Sequence, residues 1–166
     1  MKKGLIMLSL TATVLLLSGC WKSGNVVEYN DSFVAIVKEC TDSTQDLFDV
    51  FQAEGSTLDS ISQSLQSSID TCRDAKSKAS KMWDYDKDNS LKDAVVDLLW
   101  TEVDYLEKFG TTSRYWNIDD ITEEDKVAYD SVVSELYQSE EILNAKFVSL
   151  QSTQEAFAAK HWLKLE

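Results

Sequence analysis

The sequence contains no proline, and beyond residue 20 its glycines fall only at 24, 55 and 110. Sheets and long loops draw on both residues for their turns, so this scarcity argues against a strand-rich fold and for long, uninterrupted helices. Histidine occurs once, as His161. That disfavours a Ser/His/Asp or Cys/His arrangement in the interior. It also removes a di-iron bundle, which needs Glu-x-x-His on two helices, because the position three before His161 is Ala158. Basic residues are outnumbered: 16 Lys and Arg stand against 29 Asp and Glu. A nucleic-acid binder needs a basic surface, so that class is disfavoured too, and the acid excess reads as a solvated coat.

The N-terminal segment differs from the rest. Lys2 and Lys3 precede an apolar run from Leu5 to Leu17, which ends in Leu17-Ser18-Gly19-Cys20. A charged start, a short apolar stretch and a small-residue cleavage site make a signal for export. The run is short of the ~20 apolar residues of a membrane-spanning helix. Small residues leading directly into a cysteine resemble the bacterial lipobox, in which the cysteine thiol receives a diacylglycerol and becomes the new, acylated amino terminus. The alternative is an ordinary cleaved signal beside a chance cysteine. The lipobox reading assigns 1–19 to the signal peptide, 20–25 to a lipidated cysteine and short tether, and 26–166 to one domain. Loss of Lys2 and Lys3 deepens the formal charge from −13 to −15. Such a surface repels anionic headgroups, which leaves the lipid to hold the membrane.

Apolar residues of the domain recur every three or four positions. Tyr29, Phe33, Ile36, Cys40, Thr44, Leu47 and Phe51, widened by Val37 and Phe48, predict a helix over 26–53, started near Asn25 and Glu28 and stopped at Gly55. Ser56 with Asp59 suggests a capping box for a second, serine-rich helix along Leu58, Ile61, Leu65, Ile69, Cys72, Ala75, Ala79 and Met82. Ser90 with Asp93 suggests another, ahead of Leu91, Val95, Leu98, Val103, Leu106 and Phe109. Thr122 and Asp125 cap the longest helix, carrying Val132, Leu136, Leu143, Phe147, Leu150 and Phe157, with a fray or bend expected near Ser139 and Glu140. Short connections between long amphipathic helices predict an all-α fold, an antiparallel up-down-up-down four-helix bundle. The competing arrangement is a longer three-helix hairpin continuing through 110–121.

Four constellations carry candidate chemistry. Cys40 and Cys72 remain paired in number once Cys20 is lipidated. They lie at similar distances from the first turn, so either a disulfide or two reduced core thiols fits. Asp84, Asp86 and Asp88 resemble the start of a calcium loop, but Asn89 and Val95 stand where glycine and glutamate are wanted. Weak calcium binding competes there with an ordinary acidic turn, and no metal or cofactor is assigned. Trp21, Trp83 and Trp162 would share the membrane-side end of the bundle, as interfacial anchors or as plain end-of-core packing. His161 is expected on the surface beside the last helix end. At the opposite end, Arg114, Tyr115 and Trp116 in the 110–125 connection are candidates to bind a partner, or else to plug the core.

The start Glu28-Tyr29-Asn30-Asp31 and the ending from Phe157 to Glu166, with a helical bundle between, resemble helical surface lipoproteins of spirochaetes and other bacteria. The resemblance implies a surface-associated helical lipoprotein and carries over no catalytic residue. The expectation is therefore a non-enzymatic, protein-binding or structural envelope component, anchored to an outer membrane or cell surface. The alternative is a carrier of a small ligand or metal in a pocket between helices.

Overall fold

A computed structural model describes residues 24–85, 87–115 and 122–161. Within them the chain forms α1 (Gly24–Gln52), α2 (Leu58–Lys81), α3 (Ser90–Thr112), a 3-10 turn (Ser113–Tyr115) and α4 (Glu123–Lys160). They pack as the up-down-up-down four-helix bundle, each helix against its neighbours in sequence. The expected apolar stripes are what they bury. Tyr29, Phe33, Val37, Cys40, Thr44 and Leu47 line α1, and Ile61, Leu65, Ile69, Cys72, Ala75 and Ala79 line α2. α3 is the central element: its buried residues include Leu91, Val95, Leu98, Leu99, Val103, Leu106 and Phe109, and it packs against both α2 and α4.

The first helix pair approaches very closely. Cys40 and Cys72 form a disulfide with their Cα atoms 4.6 Å apart. One turn further on, Ser68 donates to the Ser43 carbonyl at 2.7 Å. Only small side chains fit so close an approach, and α2 buries Ser68, Ala75 and Ala79 on either side of Cys72, while most of its other serines are exposed. The turn joining the helices reverses at Gly55, whose φ of +84° strains any residue with a Cβ.

Three boundaries fall differently from the sequence pattern. α2 is capped by Thr57, not Ser56: Ser60 N–H donates to Thr57 Oγ1 at 3.1 Å, and Thr57 N–H donates to Ser60 Oγ at 3.0 Å. Ser56 instead turns its hydroxyl back to the Val50 carbonyl at the end of α1. At α3, Asn89 is the N-cap residue without a side-chain bond, and Asp88 accepts from Ser90 N–H at 3.0 Å. Gly110 does not stop α3, which runs on to Thr112. A Cβ there would meet Leu65 Cδ2 at 3.0 Å, so this glycine serves the α2–α3 approach. The connection to α4 is correspondingly shorter than 110–125.

α4 begins at the expected capping box, with Asp125 N–H donating to Thr122 Oγ1 at 3.1 Å. It runs unbroken through Ser139 and Glu140, where a bend was expected. Ser139 is buried and satisfied across the α3 interface: Lys108 Nζ donates to its hydroxyl at 3.1 Å and to Asp104 Oδ2 at 2.7 Å. Lys146–Asp97 and Lys160–Asp88, both 2.6 Å, continue the antiparallel register. Near its end α4 also meets α1, where Gln154 Nε2 donates to Asn30 Oδ1 at 2.9 Å. Extending that register, α4 starts about ten residues before the level at which α3 ends, an overhang of roughly 15 Å.

The disulfide closes a loop of sequence separation 32. In the chain-entropy description such a closure stabilises the fold by about 3.5–4 kcal/mol. Replacing both cysteines, Cys40→Ala with Cys72→Ala, is expected to lower the unfolding free energy by about that amount in urea titration. A loss under about 1 kcal/mol would show that serine and alanine packing alone holds the seam.

Candidate functional site

The sequence candidates are distributed over both ends of the bundle. Cys20 lies outside the described residues, four positions ahead of the start of α1. Of the proposed partner-binding trio, Trp116 lies outside them as well, and Arg114 is placed by its backbone alone in the 3-10 turn. Tyr115 is half-buried, its ring edge-on to Tyr129 at 5.4 Å, at the end that holds the α1–α2 turn. Tyr115 thus packs against the first turns of α4.

The acidic turn before α3 is organised by lysines. Asp84 pairs with Lys92, and Asp88 accepts from Lys160 Nζ at 2.6 Å; Asp86 lies outside the described residues. The Lys160 hydrogen bond, with those from Ser90, holds the Asp88 carboxyl well below the usual range. Among the described residues no group of three or more His, Cys, Asp or Glu gathers to hold a metal. Asp84 and Asp88 act here as ion-pair partners that tie the turn to α3 and α4.

The same end contains an aromatic cluster built around Tyr29. Its ring lies 4.9 Å from Phe33, 5.6 Å from Trp83, 5.5 Å from Tyr85 and 5.6 Å from Phe157. Burial raises the Tyr29 pKa, and the nearby charges of Asp84, Asp88 and Asp93 add to the shift. His161 belongs to this cluster, which corrects the expectation that it sits on the surface. Its side chain is 10% exposed, with ring centroids 4.9 Å from Tyr85 and 4.6 Å from Phe157. The last turn of α4 folds over the α2–α3 turn and carries the imidazole in with it. Nε2 is buried without a hydrogen-bond partner; Asp88 Oδ2, at 3.9 Å, is too distant for one.

A second buried ionisable group was missed by the sequence reading. Glu102, 1% exposed, points from α3 into the disulfide seam. Thr44 Oγ1 lies 2.9 Å from Glu102 Oε1, 3.2 Å from the Cys40 carbonyl and 4.0 Å from Cys72 Sγ, while Glu102 Oε2 has no partner. Thr44 has one proton to give. With Glu102 neutral, the carboxyl O–H donates to Thr44 and Thr44 donates to the Cys40 carbonyl, so both short contacts are satisfied. With Glu102 charged, Thr44 must abandon one acceptor. Burial accordingly pushes the Glu102 carboxyl up to about 7, against the lowering effect of Thr44. Tyr105 is raised as well, first by its own burial and then by the charges of Glu140 and Glu102. A signal for Glu102 existed: the stripe of α3 steps from Leu98 to Val103, and Glu102 occupies the skipped position.

What these sites define is a disulfide-tied helical bundle with one carboxyl sealed in its seam and an aromatic end. Comparison of the chain with protein-family models, with curated proteins and with solved structures finds no match.

Because the folded-state value of Glu102 lies above the unfolded one, its contribution to stability is fully present below the ordinary carboxyl range. It is lost as pH rises through about 7. The shift corresponds to no more than about 3 kcal/mol. Melting temperature is expected to fall between pH 5 and pH 8, and Glu102→Gln to remove most of that fall while melting higher than the parent at pH 8. An equal pH slope in parent and variant would assign the effect to other groups.

Proposed function

We propose that this chain is a lipid-anchored component of a bacterial cell envelope, a non-enzymatic bundle that holds a binding end away from an outer membrane or cell surface. The observation that carries the reading is Leu17-Ser18-Gly19-Cys20 behind a short apolar leader, four residues before α1 begins. Two or more acyl chains on one cysteine give stable anchoring where a single chain is marginal. The Cys40–Cys72 disulfide supports export, because such bonds persist in oxidising compartments.

A binding or structural role is supported by where the reactive groups lie. Glu102 is sealed in the seam, and His161 is wedged between two aromatic rings. The overhanging start of α4, with Val127 72% exposed and Tyr115 packed below Tyr129, is at the end opposite α1's start and suits an envelope protein partner. A carrier with an interhelical pocket is the weaker reading. α2, whose small side chains could have left such space, instead closes on α1 at the disulfide.

Cys20→Ser is expected to abolish metabolic labelling with palmitate and to release the protein from the membrane fraction. Continued labelling together with sedimentation would overturn the anchor. A photo-crosslinking residue at Tyr115 or Val127 is expected to give one discrete higher-mass adduct in native membranes, and one at Asp74 none. Identical adducts from all three positions would remove the assignment of the α4 end as the binding surface.

A further inference from the structure

Two tryptophans are equally exposed, Trp83 and Trp100, each at 56%. Their surroundings differ. Trp100 stands on the side of the bundle on α3, where Lys76 Nζ lies 3.8 Å over its ring. Trp83 sits in the α2–α3 turn, at the end where α1 starts and α4 finishes. Its ring leans on Tyr29, which is itself held by Phe33, Tyr85 and Phe157. The indole is thus mounted on a packed base with more than half its surface left outside.

Charge at this end departs from the acidic average of the molecule. Asp84 is bridged by Lys92 and Asp88 by Lys160, and Lys81 and Lys87 are exposed on either side of Trp83. Glu28 and Asp31 on the first turns of α1 and Asp93 on the first turn of α3 remain exposed. The end face is mixed in sign, neither strongly basic nor uniformly acidic.

Chain length then limits what can lie opposite it. Three residues lie between Cys20 and Gly24, so four Cα–Cα steps join them. Even fully extended they span at most about 14 Å. If Cys20 carries lipid, the first turn of α1 is tethered within that distance of the bilayer surface.

We infer that this end face docks on the headgroup region of a zwitterionic bilayer, with Trp83 as the side chain that enters the interface. The inference rests on the lipid-anchor reading of Cys20 and adds a second, non-covalent contact that orients the bundle upright. Tryptophan favours the membrane–water interface because its ring is apolar and its N–H remains wet. The fixed Tyr29 base lowers the ordering cost of that contact. Glu28 and Asp31 disfavour anionic lipid, so the indole and not charge drives the docking.

The test uses the full lipidated chain in phosphatidylcholine nanodiscs containing a small fraction of lipid spin-labelled near the headgroup. Trp83 and Trp100 indole N–H resonances are assigned by their loss in Trp83→Phe and Trp100→Phe, both substitutions at exposed rings. The expected result is loss of the Trp83 resonance to paramagnetic broadening while that of Trp100 keeps its intensity, with less broadening when phosphatidylglycerol is mixed in. If intact mass confirms lipid on the chain but both resonances survive, the docking is wrong and the anchor stands. Equal broadening of the two means that the bundle lies on its side and also overturns the inference. Stronger broadening with phosphatidylglycerol would make Lys81 and Lys87, not Trp83, the contact and overturn it likewise. A chain without lipid mass overturns the anchor and the docking together.

Discussion

The close approach of α1 and α2 is the constraint on which the rest of the bundle depends. Cα atoms 4.6 Å apart at Cys40 and Cys72 leave no room for large side chains at that level. α2 buries small side chains around that level, Ser68, Ala75 and Ala79, and Ser68 bonds the Ser43 carbonyl of α1. α3 then lies in the furrow of the pair. It reaches the seam with Glu102 beside Thr44, and it meets α2 closely enough at Gly110 for Leu65 to touch where a Cβ would be. Burying a carboxyl here is tolerable because Thr44 supplies a partner that keeps its neutral form bonded.

α4 is held by different means. Leu143, Phe157 and Ala158 are its buried apolar residues, and much of the remaining stripe is half-buried. The join to α3 adds polar steps to that stripe, from Lys108 with Ser139 to Lys160 with Asp88. Exposed ion pairs are worth about 0–1 kcal/mol each, so α4 draws its firmest hold from Phe157 in the aromatic end. Local opening is expected to be easiest at the start of α4 and hardest along the α1–α2–α3 seam.

Much of this was legible in the sequence because amphipathic helices advertise themselves. The absence of proline, the three- and four-residue steps and the Thr122–Asp125 cap gave four helices in an order that the structure keeps. Cys40 and Cys72 were placed on facing levels by their distances from Gly55. What escaped was decided by tertiary packing. Glu102 was passed over because a charged side chain in the stripe was treated as a gap. His161 was assigned to the surface because it stands beside the last helix end, yet Tyr85 and Phe157 pack against it. Ser56 and Thr57 are both good caps, and the choice between them turns on a hydrogen bond from Ser56 to Val50 in the preceding helix. Gly110 was placed at the start of the connection and is instead a clearance within α3.

The overhang of α4 has a mechanical consequence. A pull on its first turns is carried along a single continuous helix toward the opposite end of the molecule. The cross-links it meets on the way, Lys108–Ser139, Asp97–Lys146 and Asp88–Lys160, lie at successive levels, so they share the load in shear and do not open one at a time. Where the pull finally arrives, Phe157 and Gln154 pass it to Tyr29 and Asn30 on α1, leaving the disulfide-bonded seam outside the line of force.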